Sequence, residues 1–301
     1  MNNTDLTRTT ASPAQAVVRI AAHGYEVEID AARGGRIVSA TYEGVDILRR
    51  DLTTGPSSAL ESACFPLVPY SNRIRRGQFT FEGKTHQLAP NWEGDEHVIH
   101  GEGWQRAWDV VEQDSSRAVL RLTGGNGWPW PYECLQEITV GKAGIGLSLT
   151  LRNTGQTPMP AGLGFHPYFP RTASTRLQFA AKRIWPPLGD TAPTPKAPDS
   201  TNSFATLRLV SNCVLDHCFD GWPGTARITQ ADAGLDLTLK ATGDATHCVV
   251  YTPANEPYFC FEPVTHCTGA FEADDMREAG LRILQPGETL HLGVTIGARR
   301  L

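Results

Sequence analysis

Hydrophobic and polar residues alternate at every second position along much of this chain, which is the period of a β-strand. The segment 25–29, YEVEI, shows the pattern, and similar runs flank short turn sequences. We predict three hairpins, which pair 78–81 with 84–88, 135–140 with 146–152, and 226–230 with 235–240. Further strands are predicted at 248–251, 258–261 and 289–296.

Helical patterns are short and weak by comparison, and the best of them covers only 273–279. Residues 182–203 are rich in Pro, Thr, Asp and Ser, so we expect a long surface loop there. The 29 Gly and 21 Pro are spread along the chain and suit many short strands with tight turns. We therefore predict an all-β fold, a large antiparallel β-sandwich that forms one domain over 1–301, with 1–16 as a flexible tail.

Charge and composition exclude several classes of partner. The chain has 301 residues and a net charge of −5, and it contains no long basic run that would suit a nucleic acid or a membrane surface. It has no apolar run long enough for a membrane span, and its first residues do not resemble a signal peptide. The seven cysteines form no CxxC pair, so we expect buried thiols in a reducing cytoplasm rather than disulfides or a zinc site.

Two segments in the first half of the chain carry polar groups that suit a binding site. In 66–74, PLVPYSNRI, Arg73 could bind sugar hydroxyls or a carboxylate, or simply pair with an acid at a turn. In 97–104, His97 and His100 would point to opposite faces of a strand, which argues against a shared metal ion.

Glycine and tryptophan residues near His100 add to the second segment. His100 next to Gly101 suits a place where a ligand approaches the backbone closely. Trp104 or Trp108 could supply an apolar face for that ligand, or could belong to the core.

Three titratable residues stand in unusually apolar sequence later in the chain. His166 lies in GLGFHPYFP and is either a core histidine or a group that titrates near neutral pH. Glu262 ends the apolar strand YFCFE and must be paired, exposed or functional, since burial would raise its pKa toward neutrality. Asp216 is a weaker case of the same kind, with an ordinary loop aspartate as the alternative.

Motifs for phosphate loops, dinucleotides, GxSxG nucleophiles and paired-cysteine metal sites are not found in this sequence. The remaining acids, histidines and arginine, set among aromatic residues, suit proton transfer on a neutral, hydroxyl-rich molecule without a cofactor.

Taken in chain order, these segments resemble the aldose 1-epimerase (galactose mutarotase) family. The resemblance covers the chain from about residue 25 to its end, and 100–106 is similar to the shorter, bacterial-type branch. The matching features, in order, are Asn72-Arg73-Ile74, the hairpin over 77–88, His100-Gly101, His166 before Tyr168-Phe169, Asp216-His217 with Phe219, and Glu262.

The resemblance implies the galactose-mutarotase type of β-sandwich and a set of roles. Glu262 is then the general base and His166 the general acid, with no metal ion and no organic cofactor. The implied sugar-binding residues are Asn72, Arg73, His100 and Asp216. Galactose-acting members carry a glutamine in the strand that matches 248–252, where this chain has Val249, so the resemblance leaves the sugar open.

The expected activity is the interconversion of the α and β anomers of a free monosaccharide by a monomer or homodimer. One alternative is a hexose-6-phosphate 1-epimerase, which would need basic groups such as Arg75, Arg76 and Arg106 around the pocket. The other is a non-catalytic sugar-binding or regulatory protein, which would need no acid/base pair.

Overall fold

The computed structural model describes residues 17–51, 59–211 and 213–301, and these residues form almost only strands. The tail expected at 1–16 lies outside the described residues. The strands are β1 (Val18–Ala22), β2 (Tyr25–Asp30), β3 (Arg36–Tyr42), β4 (Val45–Asp46), β5 (Pro66–Leu67), β6 (Arg73–Ile74), β7 (Gln78–Phe81), β8 (Lys84–Gln87), β9 (Val98–Ile99), β10 (Asp109–Gln113), β11 (Arg117–Gly124), β12 (Tyr132–Gly141), β13 (Gly144–Asn153), β14 (Met159–Ala161), β15 (Gly164–Phe165), β16 (Tyr168–Pro170), β17 (Arg176–Gln178), β18 (Arg183–Trp185), β19 (Arg208–Leu209), β20 (Leu215–Asp220), β21 (Thr225–Gln230), β22 (Leu235–Gly243), β23 (His247–Thr252), β24 (Tyr258–Val264), β25 (Arg282–Leu284) and β26 (Thr289–Arg300). Helical elements in the described ranges are 3-10 turns at Ala59–Glu61, Arg75–Gly77, Gly103–Gln105 and Ala231–Ala233.

Two large sheets dominate the fold. The nine-stranded sheet has the order β10-β11-β12-β13-β26-β22-β21-β17-β19, and the seven-stranded sheet has the order β18-β20-β23-β24-β15-β5, with β16 also paired to β24. A four-stranded sheet of β1 to β4 lies against the nine-stranded sheet at β11 and β12. Alternate residues of strands such as β12 are buried, and these side chains join one continuous hydrophobic core. The prediction of an antiparallel, all-β sandwich is confirmed.

The predicted hairpins are confirmed as β7–β8, β12–β13 and β21–β22. In the first of these, Glu82 and Gly83 form the two-residue turn with φ values of 50° and 74°. Two left-handed residues are what the tight turn of a right-twisted hairpin requires.

Two segments differ in detail from their sequence patterns. The segment 273–279, whose helical pattern is short and weak, forms turns: the Asp275 carboxylate accepts the backbone N–H groups of Arg277 and Glu278 as an N-cap would, but Gly280, with a φ of 94°, ends the turn. The segment 182–203 is not wholly irregular, since it contains β18, which pairs with β20. Asp220 of β20 anchors this strand by accepting hydrogen bonds from Arg183 Nε and Trp185 Nε1, at 2.7 and 2.8 Å.

All seven cysteines are free and buried, as predicted. No helix in the described ranges combines the length and the apolar character needed to cross a lipid bilayer.

The seven-stranded sheet positions three of the polar residues that the sequence analysis selected. Asp216 lies on β20, Val249 on β23 and Glu262 on β24, while His166 lies in the connection between β15 and β16. Residues scattered along the chain therefore meet on one face of this sheet.

Candidate functional site

A cavity of about 230 Å³ brings together all six side chains that the sequence analysis selected. They are Asn72, Arg73, His100, His166, Asp216 and Glu262. The other residues that line the cavity are Leu60, Trp92, Ile99, Tyr168, Val249, Tyr251 and Tyr258. None of these lining residues comes from the 182–203 segment.

Glu262 lies inside β24 rather than at its end, because the strand continues through Pro263 to Val264. Successive residues of a strand point to opposite faces, so Glu262 shares its face with Cys260, two residues earlier. The Glu262 residue is only 3% exposed although its carboxylate reaches the cavity.

His166 is held by two aromatic rings. Phe65 stacks on its imidazole at a centroid distance of 4.7 Å, and Tyr168 stacks on it at 4.6 Å. The imidazole Nε2 lies 3.3 Å from Oε1 of Glu262, while Nδ1 has no hydrogen-bond partner among the described residues. The ring is thus held in place by stacking, with one nitrogen facing the carboxylate.

Burial shifts the two pKa values of this pair in opposite directions. It raises the pKa of Glu262 well above its ordinary value; the Asp216 carboxylate raises it further and Arg73 lowers it. Burial lowers the pKa of His166 to about 3, and the Arg49 cation also lowers it. Both groups therefore favour their neutral forms, which together hold one proton that either group can carry.

His100 and Asn72 form a reciprocal pair of hydrogen bonds. Nδ1 of His100 accepts the backbone N–H of Asn72 at 3.1 Å, and the His100 backbone N–H donates to the Asn72 carbonyl at 2.9 Å. Burial lowers the pKa of His100 well below its ordinary value, so the ring is neutral. Since Nδ1 acts as an acceptor, the ring proton is on Nε2, which makes His100 a hydrogen-bond donor for a ligand.

Arg73 is oriented by two neighbours. Its backbone N–H donates to Oδ1 of Asn72, and its Nε donates to Oδ2 of Asp95, both at 2.9 Å. Its Nη1 lies 4.0 Å from Oδ2 of Asp216. Asp95 thus fixes the guanidinium so that its outer nitrogens face the cavity and Asp216.

The two aspartates that flank Arg73 differ in their pKa shifts. Burial acts to raise the pKa of Asp95, but hydrogen bonds from Arg73 and from the His97 backbone lower it overall. At Asp216 burial dominates and raises the pKa, with Arg73 opposing it. Asp95 is a neighbour of the candidate site that sequence reasoning missed, because an acid in a polar loop carries no distinguishing pattern.

The aromatic walls come from residues other than those suggested by the sequence. Trp104 and Trp108 are core residues, whose indole N–H groups donate to the carbonyls of Gly101 and Gly103 at 3.1 and 2.9 Å. The cavity is instead lined by one tryptophan and three tyrosines, namely Trp92, Tyr168, Tyr251 and Tyr258.

The expectations for Gly101 and His97 also change. A Cβ atom on Gly101 would lie 2.2 Å from the Val68 carbonyl oxygen, so the close approach there is to the protein's own backbone rather than to a ligand. His97 does not line the cavity, and its Nδ1 accepts the backbone N–H of Arg76 at 3.3 Å. His97 and His100 therefore lie in separate environments.

Comparisons with known proteins point to one family. A family model described as aldose 1-epimerase matches residues 16–297. The Escherichia coli K12 protein YphB, described as uncharacterized, is 29% identical over 282 residues, which covers 89% of this chain and 93% of YphB.

Two solved structures share the fold. A crystal structure from Escherichia coli K12, assigned provisionally as an aldose 1-epimerase, has a TM-score of 0.87 and 25% identity and covers 95% of this chain and 99% of that chain. The galactose 1-epimerase of Lactobacillus acidophilus NCFM has a TM-score of 0.72 and 19% identity over 92% of each chain. The second likeness is one of fold alone.

Proposed function

We propose that this chain, which belongs to the aldose 1-epimerase family, is an isomerase that interconverts the α and β anomers of a free aldose. The observation that carries the proposal is the 3.3 Å contact between His166 Nε2 and Glu262 Oε1 inside the cavity. Two buried groups that can exchange one proton suit a reaction in which one proton leaves the sugar while another enters it.

The reaction begins from the charged form of the pair, in which the proton of Glu262 has moved to His166, and the Glu262 carboxylate then removes the proton of the anomeric hydroxyl. Protonated His166 donates its proton to the ring oxygen as the bond between C1 and that oxygen breaks. The open-chain aldehyde turns about its C1–C2 bond, and the ring oxygen then attacks the other face of C1. In this closing step His166 takes back the ring-oxygen proton, and Glu262 returns its proton to the new anomeric hydroxyl.

The neutral pair already holds the proton that this exchange requires. The state with neutral Glu262 and neutral His166 contains the same number of protons as the state with carboxylate and imidazolium. When a sugar bridges the two groups, moving one proton between them is therefore sufficient, and no proton has to be taken up from solvent. Both steps are proton transfers, so the proposal includes no metal ion and no organic cofactor.

The other polar residues would bind and orient the sugar. Arg73, fixed by Asp95, and His100, fixed as an Nε2–H donor, present hydrogen-bond donors to hydroxyl oxygens. Asp216 presents acceptors for hydroxyl protons, and Asn72 lies beside them in the lining. A mixture of donors and acceptors matches hydroxyl groups, which can do both.

The contacts of three arginines favour a free sugar over a sugar phosphate. Arg76 pairs with Glu96 at 3.2 Å, Arg106 pairs with Glu102 at 2.8 Å, and Nη1 of Arg75 donates to a backbone carbonyl at 2.6 Å. None of the three is among the residues that line the cavity. Arg73 is the cationic residue in the cavity lining that could bind a phosphate group, and it is already paired with Asp95.

The proposal places the enzyme in the cytoplasm as a monomer or homodimer, where a reducing environment suits seven free thiols. The test is polarimetry of freshly dissolved α-glucose, α-galactose, and the anomers of arabinose and xylose. Faster relaxation to the anomeric equilibrium supports the proposal and ranks the sugars. Sugar binding without acceleration would favour a non-catalytic binding protein, and acceleration confined to phosphosugars would favour the hexose-6-phosphate alternative.

A further inference from the structure

Beneath the cavity, Cys260 lies next to the two groups assigned to proton transfer. It is fully buried and shares a face of β24 with Glu262, while His166 approaches from the neighbouring connection. Within the described residues, the His166 nitrogen, the Cys260 sulfur and a Glu262 oxygen all lie within 4.8 Å of one another. The proposed sugar reaction makes no use of this thiol.

We propose that His166, Cys260 and Glu262 form an inhibitory binding site for a borderline-soft divalent cation, of which Zn²⁺ is the best match. Nitrogen, sulfur and carboxylate oxygen are the three donor types that zinc binds in proteins. Zinc bonds of about 2.0–2.3 Å in a tetrahedral site place ligand atoms roughly 3.3–3.8 Å apart. Shifts of about 1 Å would bring the three donors to these separations.

The position of the three side chains leaves the fourth coordination site open to the cavity. Glu262 and His166 line the cavity and Cys260 lies below them, so an ion enters from the sugar side. Water would complete the tetrahedron. The thiol loses its proton to solvent when its sulfur bonds to the ion, and a proton on Glu262 is released in the same way.

Metal binding and sugar isomerisation exclude each other. A bound ion occupies the Nε2 lone pair of His166 and the carboxylate of Glu262, which are the atoms that the proposed reaction needs for proton transfer. This inhibition rests on the proposed function, whereas the binding of the ion does not.

Two features indicate a reversible inhibitor rather than a resident metal ion. Histidines that hold a resident metal usually donate their other ring nitrogen to a partner, and Nδ1 of His166 has none among the described residues. The cations of Arg49 and Arg73 act on His166 and Glu262, and they weaken the binding of another positive charge.

The binding is tested by titrating the full chain with Co²⁺ in a buffer free of thiols and chelators. A cobalt–thiolate bond gives a charge-transfer absorption that imidazole and carboxylate ligands do not give. We expect this absorption in the wild type and in Cys248→Ser, a matched control for a buried cysteine on the adjacent strand β23. It should be lost in Cys260→Ser, and Glu262→Gln should weaken Co²⁺ binding at least about tenfold.

Equal spectra for the wild type and Cys260→Ser would overturn the site, as would a wild type that gives no thiolate absorption. If Cys260→Ser does not fold, unchanged Co²⁺ affinity in Glu262→Gln overturns the site and weakened affinity supports it. These readouts do not depend on any enzymatic activity, so the metal site can stand even if the proposed epimerase activity fails.

The inhibition is tested with Zn²⁺ in the anomer-exchange assay. We expect Zn²⁺ to slow the wild type in competition with sugar, and EDTA to restore the rate. In Cys260→Ser, measured relative to its own rate without metal, the inhibitory Zn²⁺ concentration should rise at least about tenfold. The same Zn²⁺ sensitivity in both proteins would contradict inhibition through this site.

Discussion

Asp95 accepts a hydrogen bond from Nε of Arg73 at 2.9 Å, and this contact sets the direction of the guanidinium in the cavity. Both side chains are mostly buried, with exposures of 25% for Arg73 and 17% for Asp95, so solvent weakens the contact only in part. In the proposed reaction Arg73 binds sugar without exchanging protons. Asp95 is therefore a positioning residue, whose removal should affect binding more than turnover.

We expect Asp95→Asn to raise KM roughly fivefold, which corresponds to about 1 kcal/mol of binding free energy, with little change in kcat. Glu96→Gln is the matched control, because Glu96 follows Asp95 in the same loop but pairs with the exposed Arg76. Steady-state kinetics of both variants make the test. A large loss of kcat with unchanged KM in Asp95→Asn would show that Arg73 acts on the reacting atoms instead.

The hydrogen bond from the Asn72 backbone predicts one tautomer of His100. The ring should be neutral at pH 7 with its proton on Nε2. Nitrogen-15 NMR of labelled histidine distinguishes this form from the Nδ1–H tautomer and from imidazolium. His100→Phe, which removes the donor, should lower kcat/KM about tenfold or more, because a sugar oxygen would lose its partner. An Nδ1–H signal for His100 would contradict the assigned donor.

Phosphorylation of the sugar should not raise kcat/KM. With Arg75, Arg76 and Arg106 engaged outside the cavity, we expect kcat/KM for a hexose 6-phosphate to be no higher than for the free hexose. Arg106→Gln should leave the ratio of the two values unchanged. A 6-phosphate preferred tenfold or more, and lost in one of these arginine variants, would establish the phosphosugar alternative.

Acid should destabilise the fold through buried histidines away from the cavity. Burial lowers the pKa of His247 and of His266 to about 4 in each case. Unfolded histidines take up protons near pH 6.5 while these two resist protonation, so the free energy of unfolding falls as pH drops from about 6.5 toward 4. Protonation of each histidine in the unfolded chain lowers the free energy of unfolding by about 3 kcal/mol across this range.

Urea unfolding at pH 7.5 and at 4.5 measures this effect. The urea concentration at the midpoint of unfolding should be lower at pH 4.5 than at pH 7.5. This decrease should be smaller in His247→Gln than in the wild type, because glutamine does not titrate at that position. A midpoint that stays constant over this range would show that the two histidines are protonated in the folded state.

Much of the fold follows from the period-two pattern, because a buried sheet face needs an apolar residue at every second position. Asp216, His166 and Glu262 could be selected because charged or titratable groups in apolar strands are costly without a purpose. The pattern cannot show which aromatic residues reach the cavity. Trp104 looked suitable beside His100, but it is buried in the core, and Tyr168 of another segment stacks on His166 instead.

The role of Asp95 and the short strand β18 could not be predicted from the sequence for a related reason. Asp95 gains its role from Arg73, 22 residues earlier in the chain, and β18 gains its pairing from Asp220, some 35 residues later. Contacts of this range leave no local pattern. The weak pattern over 273–279 gives no helix for a local reason, because Gly280, with a φ of 94°, ends the turn that Asp275 begins.

Anomer exchange by polarimetry in the wild type and in Glu262→Gln tests the central claim most directly. Gln keeps the size of the side chain but cannot take up the anomeric proton, so the rate should fall about 100-fold or more while the variant remains folded and still binds sugar. A Glu262→Gln protein that matches the wild-type rate would contradict the assignment of Glu262 as the base.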